Sequence, residues 1–255
     1  MSSPPRVLLL LGAGSNLGAK IAQTFSTAGY KVALVARSLD EGPQQQSGHH
    51  HIRADLSNPD CIPEVFEKVK LHVGIPSVVV YNAVQYTLDD PADPFASLMP
   101  EKVSQFHTAM AVNGTTPLIA MAHAVASFRN LPAEMPGRTF IFTGNILNRS
   151  PFVNRFCFGC AKATCAYGIH FASVIYAKER IRFYYADERT VAGLPVMREI
   201  DGPAAGKVYL EIAECAERRA WHYTYTKDGE YRDFGEADYL QIREGGPGLS
   251  RGGRS

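Results

Sequence analysis

Residues 7–18 read VLLLLGAGSNLG, an apolar run that leads directly into a glycine-rich loop. The run is too short to span a membrane or to form the core of a signal peptide, and it fits a buried strand. Asn16 suits a helix start and Gly29 suits a helix end, so a helix is predicted near 17–28. A glycine loop between a strand and a helix lets backbone N–H groups approach a pyrophosphate at the positive end of the helix. The stretch therefore predicts a dinucleotide-binding loop, and the alternative is a tight turn without a ligand.

Apolar runs and amphipathic stretches alternate along the rest of the chain. Strands are predicted at 7–11, 32–36, 78–81, 139–143 and 181–185, and further helices near 59–71, 100–129 and 155–178. This alternation predicts right-handed crossovers and a single doubly wound parallel sheet of the Rossmann type, flanked by helices. Because no repeat or linker interrupts the pattern, residues 1–244 are predicted to form one nucleotide-binding domain. The Gly/Arg-rich segment 245–255 is predicted to be a disordered tail.

Composition and charge indicate an ordinary globular protein. Of the 255 residues, 45% are hydrophobic and 20% are charged, with 26 basic against 25 acidic side chains. A net charge of +1 gives no global field for nucleic acid or an anionic membrane, so neither is predicted as a partner. The five cysteines lack the spacing of a disulfide framework, which favours reduced thiols and a cytoplasmic location. The Cys157/Cys160 pair and the 49–51 histidine run are each isolated, so no metal site is predicted.

Several motifs resemble the short-chain dehydrogenase/reductase family, and within it a divergent fungal-type branch whose loops also read Gly-Ala-Gly-x-Asn. The resemblance spans about residues 6 to 225, and it makes Gly12, Gly14, Leu17 and Gly18 candidate cofactor residues. The usual family spacing would place a glycine at Asn16, so the loop is a variant. The family therefore implies a nicotinamide cofactor.

Two later motifs resemble the family's adenine-side contacts. Residues 54–56 read ADL, which resembles the Asp-Leu/Val pair whose aspartate, here Asp55, meets the adenine amino group. Residues 81–84 read YNAV, and they resemble the Asn-Asn-Ala-Gly turn, of which Asn82 and the following alanine remain. Both motifs make the adenine side the most specific part of the resemblance.

The residues after the second predicted strand favour NADP over NAD. Ala36 stands where NAD-preferring members carry an acidic residue, and Arg37 and Ser38 follow it. A carboxylate there would accept hydrogen bonds from the ribose 2′-OH and repel a 2′-phosphate, whereas a guanidinium attracts that phosphate. The alternative is that Arg37 is a solvated charge at a strand end.

The family's Tyr-x-x-x-Lys motif reads Phe158-Gly159-Cys160-Ala161-Lys162 in this chain. A phenyl ring cannot deliver a proton to an alkoxide, and general acid catalysis typically contributes about 10²- to 10⁴-fold. In the family the lysine binds the nicotinamide ribose and lowers the pKa of the tyrosine. Lys162 is therefore a candidate for anchoring the ribose, or for donating a proton directly if it is desolvated.

Other motif positions complete the candidate catalytic set. The family's serine, thirteen residues before the tyrosine, corresponds to Asn145, whose amide can donate to a developing oxyanion as a hydroxyl can; Thr143 is another nearby donor. Asn113 resembles the structural asparagine that holds a proton-relaying water beside the lysine, or alternatively it bonds its own helix. Where the family writes Pro-Gly, the alignment places Glu188-Arg189, followed by the candidate cofactor residue Val191.

These residues favour an NADPH-dependent oxidoreductase acting on a small apolar metabolite. A site with Asn145 and Lys162 but no tyrosine suits imine, iminium or enone reduction better than ketone reduction. Divergent relatives in fungal alkaloid pathways resemble it in lacking the Ser/Tyr pair, which points to secondary metabolism. Two alternatives stay open: a non-redox isomerase or cyclase, and a catalytically inactive nucleotide-binding regulatory protein. The family also implies a homo-oligomer, a dimer or tetramer that pairs on its fourth and fifth long helices.

Overall fold

A computed structural model describes residues 4–235, so the predicted tail at 245–255 lies outside the described residues. Eight strands form one sheet in the order β3-β4-β2-β1-β5-β6-β7-β8. The strands are β1 (Val7–Leu11), β2 (Lys31–Ala36), β3 (Gly42–Pro43), β4 (His50–Arg53), β5 (Val78–Tyr81), β6 (Thr139–Thr143), β7 (Arg182–Glu188) and β8 (His222–Tyr225).

The sheet is parallel except at one edge, where the two-residue strand β3 runs antiparallel to β4. Strand β1 pairs with β2 on one side and with β5 on the other, so the strand order reverses direction at β1. Ligands of open α/β sheets bind in the crevice outside the carboxyl ends of the strands at such a reversal. The predicted doubly wound sheet is confirmed, and the glycine loop lies at this crevice.

Six helices cover the two faces of the sheet: α1 (Leu17–Thr27), α2 (Ile62–His72), α3 (Val103–Met110), α4 (Thr116–Arg129), α5 (Phe156–Ile175) and α6 (Gly202–Glu214). Helices α1 and α6 pack on the face that carries Leu8 and Leu10, whereas α2, α4 and α5 pack on the face that carries Leu9 and Leu11. The strands β1, β5 and β6 are buried on both faces, which explains why they are continuous apolar runs. No helix within residues 4–235 is long and apolar enough to cross a membrane.

The helix predicted near 100–129 is in fact two helices. A single π-helical turn, Ala111–Thr115, separates α3 from α4. Pro117 lies in the first turn of α4, and without an N–H it cannot donate to the carbonyl of Asn113 four residues earlier. The helical ladder therefore loosens at this point, as π turns do.

Helix α6 and strand β8 were not predicted from the sequence. The helix begins with the small residues GPAAG, which carry little periodic signal. These small residues have a packing reason, because a Cβ on Gly206 would lie 2.4 Å from Thr24 Oγ1 of α1. Close contact with α1 and a buried apolar stripe that includes Val208 and Ile212 together hold α6 on the sheet.

Candidate active site

The glycine loop is shaped by close approach between main-chain segments. Gly12 has a φ of +98°, and a Cβ there would lie 2.3 Å from the backbone nitrogen of Ala83. A Cβ on Gly18 would lie 3.0 Å from Ala13. Gly14 differs, since a Cβ there meets nothing within 4 Å. Gly12 and Gly18 thus let the chain fold tightly, while Gly14 leaves an open, exposed surface at the start of α1.

The start of α1 is suited to an anion. No acidic side chain lies in its first turn, and the Asn16 side chain does not cap the helix. Instead, Asn16 Nδ2 donates to the carbonyl of Ile200 at 3.4 Å, and a Cβ on Gly202 would lie 3.2 Å from Asn16 Oδ1. Leu17 is buried beneath this turn. The backbone N–H groups of the helix start can therefore serve a phosphate, with the segment before α6 beside them.

The predicted adenine-side residues lie together at the carboxyl ends of β2 and β4. Arg37, Ser38 and Asp55 are all exposed to solvent. Asp55 Oδ1 accepts the N–H of Ser57 at 3.0 Å. That hydrogen bond lowers the pKa of Asp55, and the charge of Arg37 lowers it further. The edge therefore presents a carboxylate and a guanidinium side by side.

A hydrogen-bonded chain connects the glycine loop to the end of β6. Asn82 Nδ2 donates to the carbonyl of Gly12 at 2.8 Å, and its Oδ1 accepts from Thr143 Oγ1 at 3.0 Å. The hydroxyl of Tyr209 on α6 donates to Thr143 Oγ1 at 3.0 Å. The carbonyl of Thr143 in turn accepts from Lys162 Nζ at 2.9 Å. The cofactor loop and the candidate catalytic lysine therefore share one polar network.

Lys162 is buried on α5, with only 3% of the residue exposed. Its ammonium group lies 4.3 Å from the ring centroid of Phe142 and 5.3 Å from that of Phe158. Burial lowers the pKa of Lys162 to about 8, although the more distant Cys165 and Asp187 act in the opposite direction. The lysine is therefore held between two aromatic rings and a carbonyl. Its lowered pKa means that it can lose its proton close to neutral pH.

The Cys157/Cys160 pair lies in the first turns of α5, on either side of Phe158. Burial raises the pKa of Cys157 to about 12, and burial also raises the pKa of Cys160. The N–H of Cys157 donates to Asp89 Oδ2 at 3.1 Å. Within residues 4–235 no cluster of histidine, cysteine and carboxylate side chains could hold a metal. Both cysteines are thiols at neutral pH.

Asn145 follows β6 and has one side of its amide free. Its Oδ1 accepts from the N–H of Leu147 at 3.1 Å, and the Tyr185 hydroxyl bonds both its backbone N–H and its carbonyl, at 3.1 and 2.8 Å. Among residues 4–235, no acceptor lies within hydrogen-bond distance of Asn145 Nδ2. Gly144 is required here, because a Cβ would lie 2.1 Å from the Tyr185 ring. The Nδ2 group is therefore available to a ligand.

Asn113 lies in the π turn, completely buried. Its Oδ1 accepts from the N–H of Gln85 at 3.1 Å, and its Nδ2 donates to the carbonyls of Gln85 and Ala109 at 2.9 and 3.0 Å. The side chain thus bonds its own helix, as one reading of the sequence held, but it also clamps the loop that follows β5. That second contact was not predicted.

Buried Asp187 and Arg189 pair at the end of β7, and His222 of β8 lies beside them. Arg189 Nε and Nη2 both donate to Asp187 Oδ2, at 2.8 and 2.5 Å, and both residues are 1% exposed. His222 Nε2 lies 3.3 Å from the same oxygen. Burial alone would raise the pKa of Asp187, but Arg189 and His222 outweigh it and the net shift is downward.

Glu188 points to the other face of the sheet. Both of its carboxyl oxygens accept from the N–H of Asp201, at 3.0 and 3.1 Å. Burial raises the pKa of Glu188 to about 7. Val191, the predicted cofactor residue beyond this strand, is exposed, and its carbonyl accepts from Arg232.

Sequence reasoning missed four side chains of this region: Tyr86, Asp187, Tyr209 and His222. Tyr209 and His222 lie on the two elements that were not predicted, α6 and β8. Tyr86 lies only four residues after Asn82, so its aromatic ring beside a recognised motif was a usable signal.

Comparison with known proteins agrees with the resemblance seen in the motifs. The sequence model of the short chain dehydrogenase family matches residues 6–186. The chain is 35% identical over 247 residues to the short chain dehydrogenase/reductase dmxR12 of Cryptosporiopsis sp. (strain 8999), covering 92% of this chain and 96% of that protein.

Solved structures show the same fold at low sequence identity. A 3-oxoacyl-(acyl-carrier protein) reductase from Brucella melitensis superposes with a TM-score of 0.72 at 17% identity, covering 90% of this chain and 97% of that one. A metagenomic short-chain oxidoreductase in complex with NADP gives a TM-score of 0.68 at 18% identity, covering 89% and 99%. The chain belongs to the short chain dehydrogenase family, a family of oxidoreductases that use nicotinamide cofactors.

Proposed function

We propose that this protein is an NADPH-dependent reductase of a small apolar metabolite whose active site works without a tyrosine hydroxyl at position 158. The observation that carries the proposal is the polar network from Gly12 through Asn82 and Thr143 to Lys162. The network keeps the cofactor loop and the lysine connected although residue 158 is a phenylalanine. The burial of Lys162 beside this network, which lowers its pKa to about 8, favours a site that carries out chemistry over a regulatory protein.

The residues present fit NADPH. The open surface at Gly14 and the uncapped start of α1 suit the pyrophosphate, and exposed Arg37 with Ser38 suits the 2′-phosphate. Asp55 and Asn82 would serve the adenine side, and Val191 and Lys162 would serve the nicotinamide half, as their motif positions imply. When bound, a reduced nicotinamide supplies a hydride. A related fold solved in complex with NADP supports this choice.

The chain's own side chains favour substrates that need little acid help. Phe158 cannot donate a proton, whereas the free Nδ2 of Asn145 can donate a hydrogen bond to a polarised oxygen or nitrogen. Imines, iminium ions and enones therefore suit the site better than ketones. The aromatic rings of Phe95, Phe106 and Phe156 pack against one another beside the start of α5 and supply an apolar surface for such a compound. A role in secondary metabolism is part of the proposal, because the motifs resemble those of divergent fungal relatives that lack the Ser/Tyr pair.

The decisive experiment follows the absorbance of reduced nicotinamide while purified protein meets a panel of imines, enones and ketones. Consumption with imines or enones, and much slower consumption with ketones, is the expected result. Turnover of substrate without loss of NADPH would replace the proposal with an isomerase or cyclase. Tight NADPH binding with no turnover on the panel would replace it with a regulatory role.

A Phe158→Tyr variant sharpens this experiment. If the site keeps the geometry of a dehydrogenase, the new hydroxyl should raise ketone reduction by about 10²-fold, the lower end of general acid catalysis. The matched control is Leu71→Tyr, which adds a phenol at an exposed position of α2, away from the site, and should change nothing.

The exposed face of α5 supports the proposal of a homo-oligomer. Four large apolar side chains lie exposed along it: Tyr167, Phe171, Val174 and Ile175. A strip of this kind on one helix marks a protein-binding surface. Phe171→Glu is expected to halve or quarter the mass measured by light scattering, and an unchanged mass would exclude this face.

A further inference from the structure

A cleft of about 320 Å³ opens at Tyr86, whose ring contacts that of Phe158; its volume is at the low end of the size range of ligand sites, roughly 300–1,000 Å³. It is lined by the loop after β5 and by one face of α3, through Gln85, Tyr86, Thr87, Leu88, Ser104, Gln105 and Thr108. All of these except Leu88 carry a hydrogen-bonding side chain. The cleft therefore suits a ligand that brings at least one polar group to it.

Tyr86 places a phenol hydroxyl next to the ring that lacks one. The two rings meet edge to face, with centroids 5.9 Å apart and an interplanar angle of 71°. The Tyr86 hydroxyl accepts a hydrogen bond from Arg155 Nη2, and the guanidinium carbon lies 4.6 Å from the Tyr86 ring centroid. Hydrogen bonds from a guanidinium stabilise negative charge on the oxygen that accepts them.

The loop that carries Tyr86 is held by hydrogen bonds on both sides of this residue. Asn113 clamps the backbone N–H and carbonyl of Gln85, the residue before it. On the other side, Asp89 accepts the N–H of Cys157, the residue before Phe158. A side chain fixed in this way meets a substrate without a large loss of conformational freedom.

The other tyrosines near the candidate site are already committed. The Tyr185 hydroxyl bonds the backbone of Asn145, and the Tyr209 hydroxyl donates to Thr143. Tyr167 is 73% exposed and lies more than two turns along α5 from Phe158. Tyr86, in contrast, is 54% exposed and lines the cleft, so a ligand can reach its hydroxyl.

We propose that Tyr86, supported by Arg155, is the proton donor of this site, and that its target is the carbonyl oxygen of a conjugated carbonyl substrate, an enal or enone. This inference rests on the proposed reductase function and names its substrate class. In a simple ketone the carbon that takes the hydride is bonded directly to the oxygen that takes the proton. In an enone the hydride goes to the β-carbon, and the α-carbon and the carbonyl carbon lie between that atom and the oxygen. Tyr86 lies one ring beyond position 158. Its hydroxyl is therefore farther from the hydride-accepting carbon than a hydroxyl at position 158 would be, and that greater distance matches an enone.

The step balances without a further reactant. Reduced nicotinamide, when bound, supplies two electrons as a hydride to the β-carbon, and the C=C π bond shifts to give an enolate. The enolate oxygen then takes the proton from Tyr86 Oη, forming an enol that tautomerises to the saturated carbonyl. The tyrosinate that remains is stabilised by Arg155 and takes a proton back from water at its exposed side.

The first test needs no cofactor and no turnover. Trans-cinnamaldehyde, an aromatic enal, absorbs at longer wavelength when its carbonyl accepts a hydrogen bond, so its spectrum reports on the donor. Wild-type protein is expected to shift the absorption of the bound enal to longer wavelength, and Tyr86→Phe to abolish most of that shift while still binding it. The control Tyr167→Phe should keep the full shift. An equal shift in wild type and Tyr86→Phe would overturn the proposal.

The second test uses NADPH and compares two substrates. Tyr86→Phe is expected to lower kcat for enal reduction by about 10²- to 10⁴-fold, with KM nearly unchanged. The same variant should reduce a preformed N-methyl iminium ion at the wild-type rate, because that product needs no proton. Equal losses on both substrates would assign Tyr86 a structural role and end the proposal.

Arg155 is a positioning residue, and its variants separate charge from packing. Arg155→Lys is expected to retain most of the spectral shift and enal reduction, whereas Arg155→Met should lose both. If wild-type protein reduces the iminium ion but not the enal, the reductase function stands and the role of Tyr86 falls. If it reduces neither while binding NADPH, both fall.

Discussion

The glycine-loop side of the crevice and the Phe158–Arg189 side are built from different materials. The first is made of main chain, with Gly12 and Gly18 packed so closely that a Cβ on Gly12 would overlap Ala83. The second is made of side chains from β5, β6, α5 and β7, none of which is sterically forced to be what it is. Main-chain packing tolerates little change, whereas a side-chain site can be rebuilt if each new buried group finds a partner. The two sides are therefore expected to respond to substitution through different physical causes.

The largest expected effect comes from breaking the main-chain half. Gly12→Val places a branched side chain on the Ala83 backbone, 2.3 Å from its nitrogen, at a φ of +98° that β-branched residues avoid. We expect a loss of about 4 kcal/mol or more in the free energy of unfolding, measured by urea denaturation. Gly14→Ala is the matched control: with nothing within 4 Å it should alter stability by less than about 0.5 kcal/mol. If both variants were equally stable, the loop would not be sterically fixed.

The stability of the Phe158–Arg189 side should depend on paired side chains instead. Arg189→Gly removes the guanidinium that pairs with buried Asp187 at 2.5 Å. Because an uncompensated charge is left behind, we expect a loss of about 3–5 kcal/mol in the free energy of unfolding. Adding Asp187→Ala should recover a large part of it. No recovery in the double variant would show that Arg189 acts through packing and through its bond to Gly193 rather than through charge.

The difference between local main-chain packing and contacts of distant side chains also explains what the sequence could predict. The strand–glycine–helix order and the buried strands are local patterns, and the predicted parallel sheet is confirmed. The π turn at Asn113 depends on Pro117 four residues later, a local signal that was present but not used. In contrast, the Arg155–Tyr86 contact joins residues 69 positions apart, and no periodic pattern marks such a pair.

A variant of Lys162 tests whether a functional residue of the Phe158–Arg189 side lowers the stability of the fold. Its pKa in the folded chain, about 8, lies below its ordinary value of 10.5, so the unfolded chain binds the proton more tightly. The buried charge therefore destabilises the fold below about pH 8, and that penalty fades as pH rises toward 10.5. Lys162→Met should increase the free energy of unfolding at pH 7 by about 1–3 kcal/mol, after the loss of the bond to Thr143 is counted.

The control for Lys162→Met is the same pair of denaturation curves at pH 10. There the gain should shrink to a fraction of its value at pH 7, while NADPH-dependent turnover stays low at both. A gain that does not change with pH would mean that the pKa of Lys162 is the same in the folded and the unfolded chain.

The smallest expected effect concerns the edge of the glycine-loop side, where we expect a side chain rather than the main chain to meet the cofactor. Arg37 is exposed beyond β2, so Arg37→Gln should leave stability within about 0.5 kcal/mol. If Arg37 meets the 2′-phosphate, the variant should bind NADPH about tenfold more weakly, roughly 1.4 kcal/mol, and NADH no differently. Fluorescence titration with both nucleotides measures the two constants. Lys31→Gln, an exposed residue at the opposite end of β2, is the control for net charge. Equal weakening in both variants would show that Arg37 contributes only a general field, and that the specificity for NADPH lies in the main-chain loop after all.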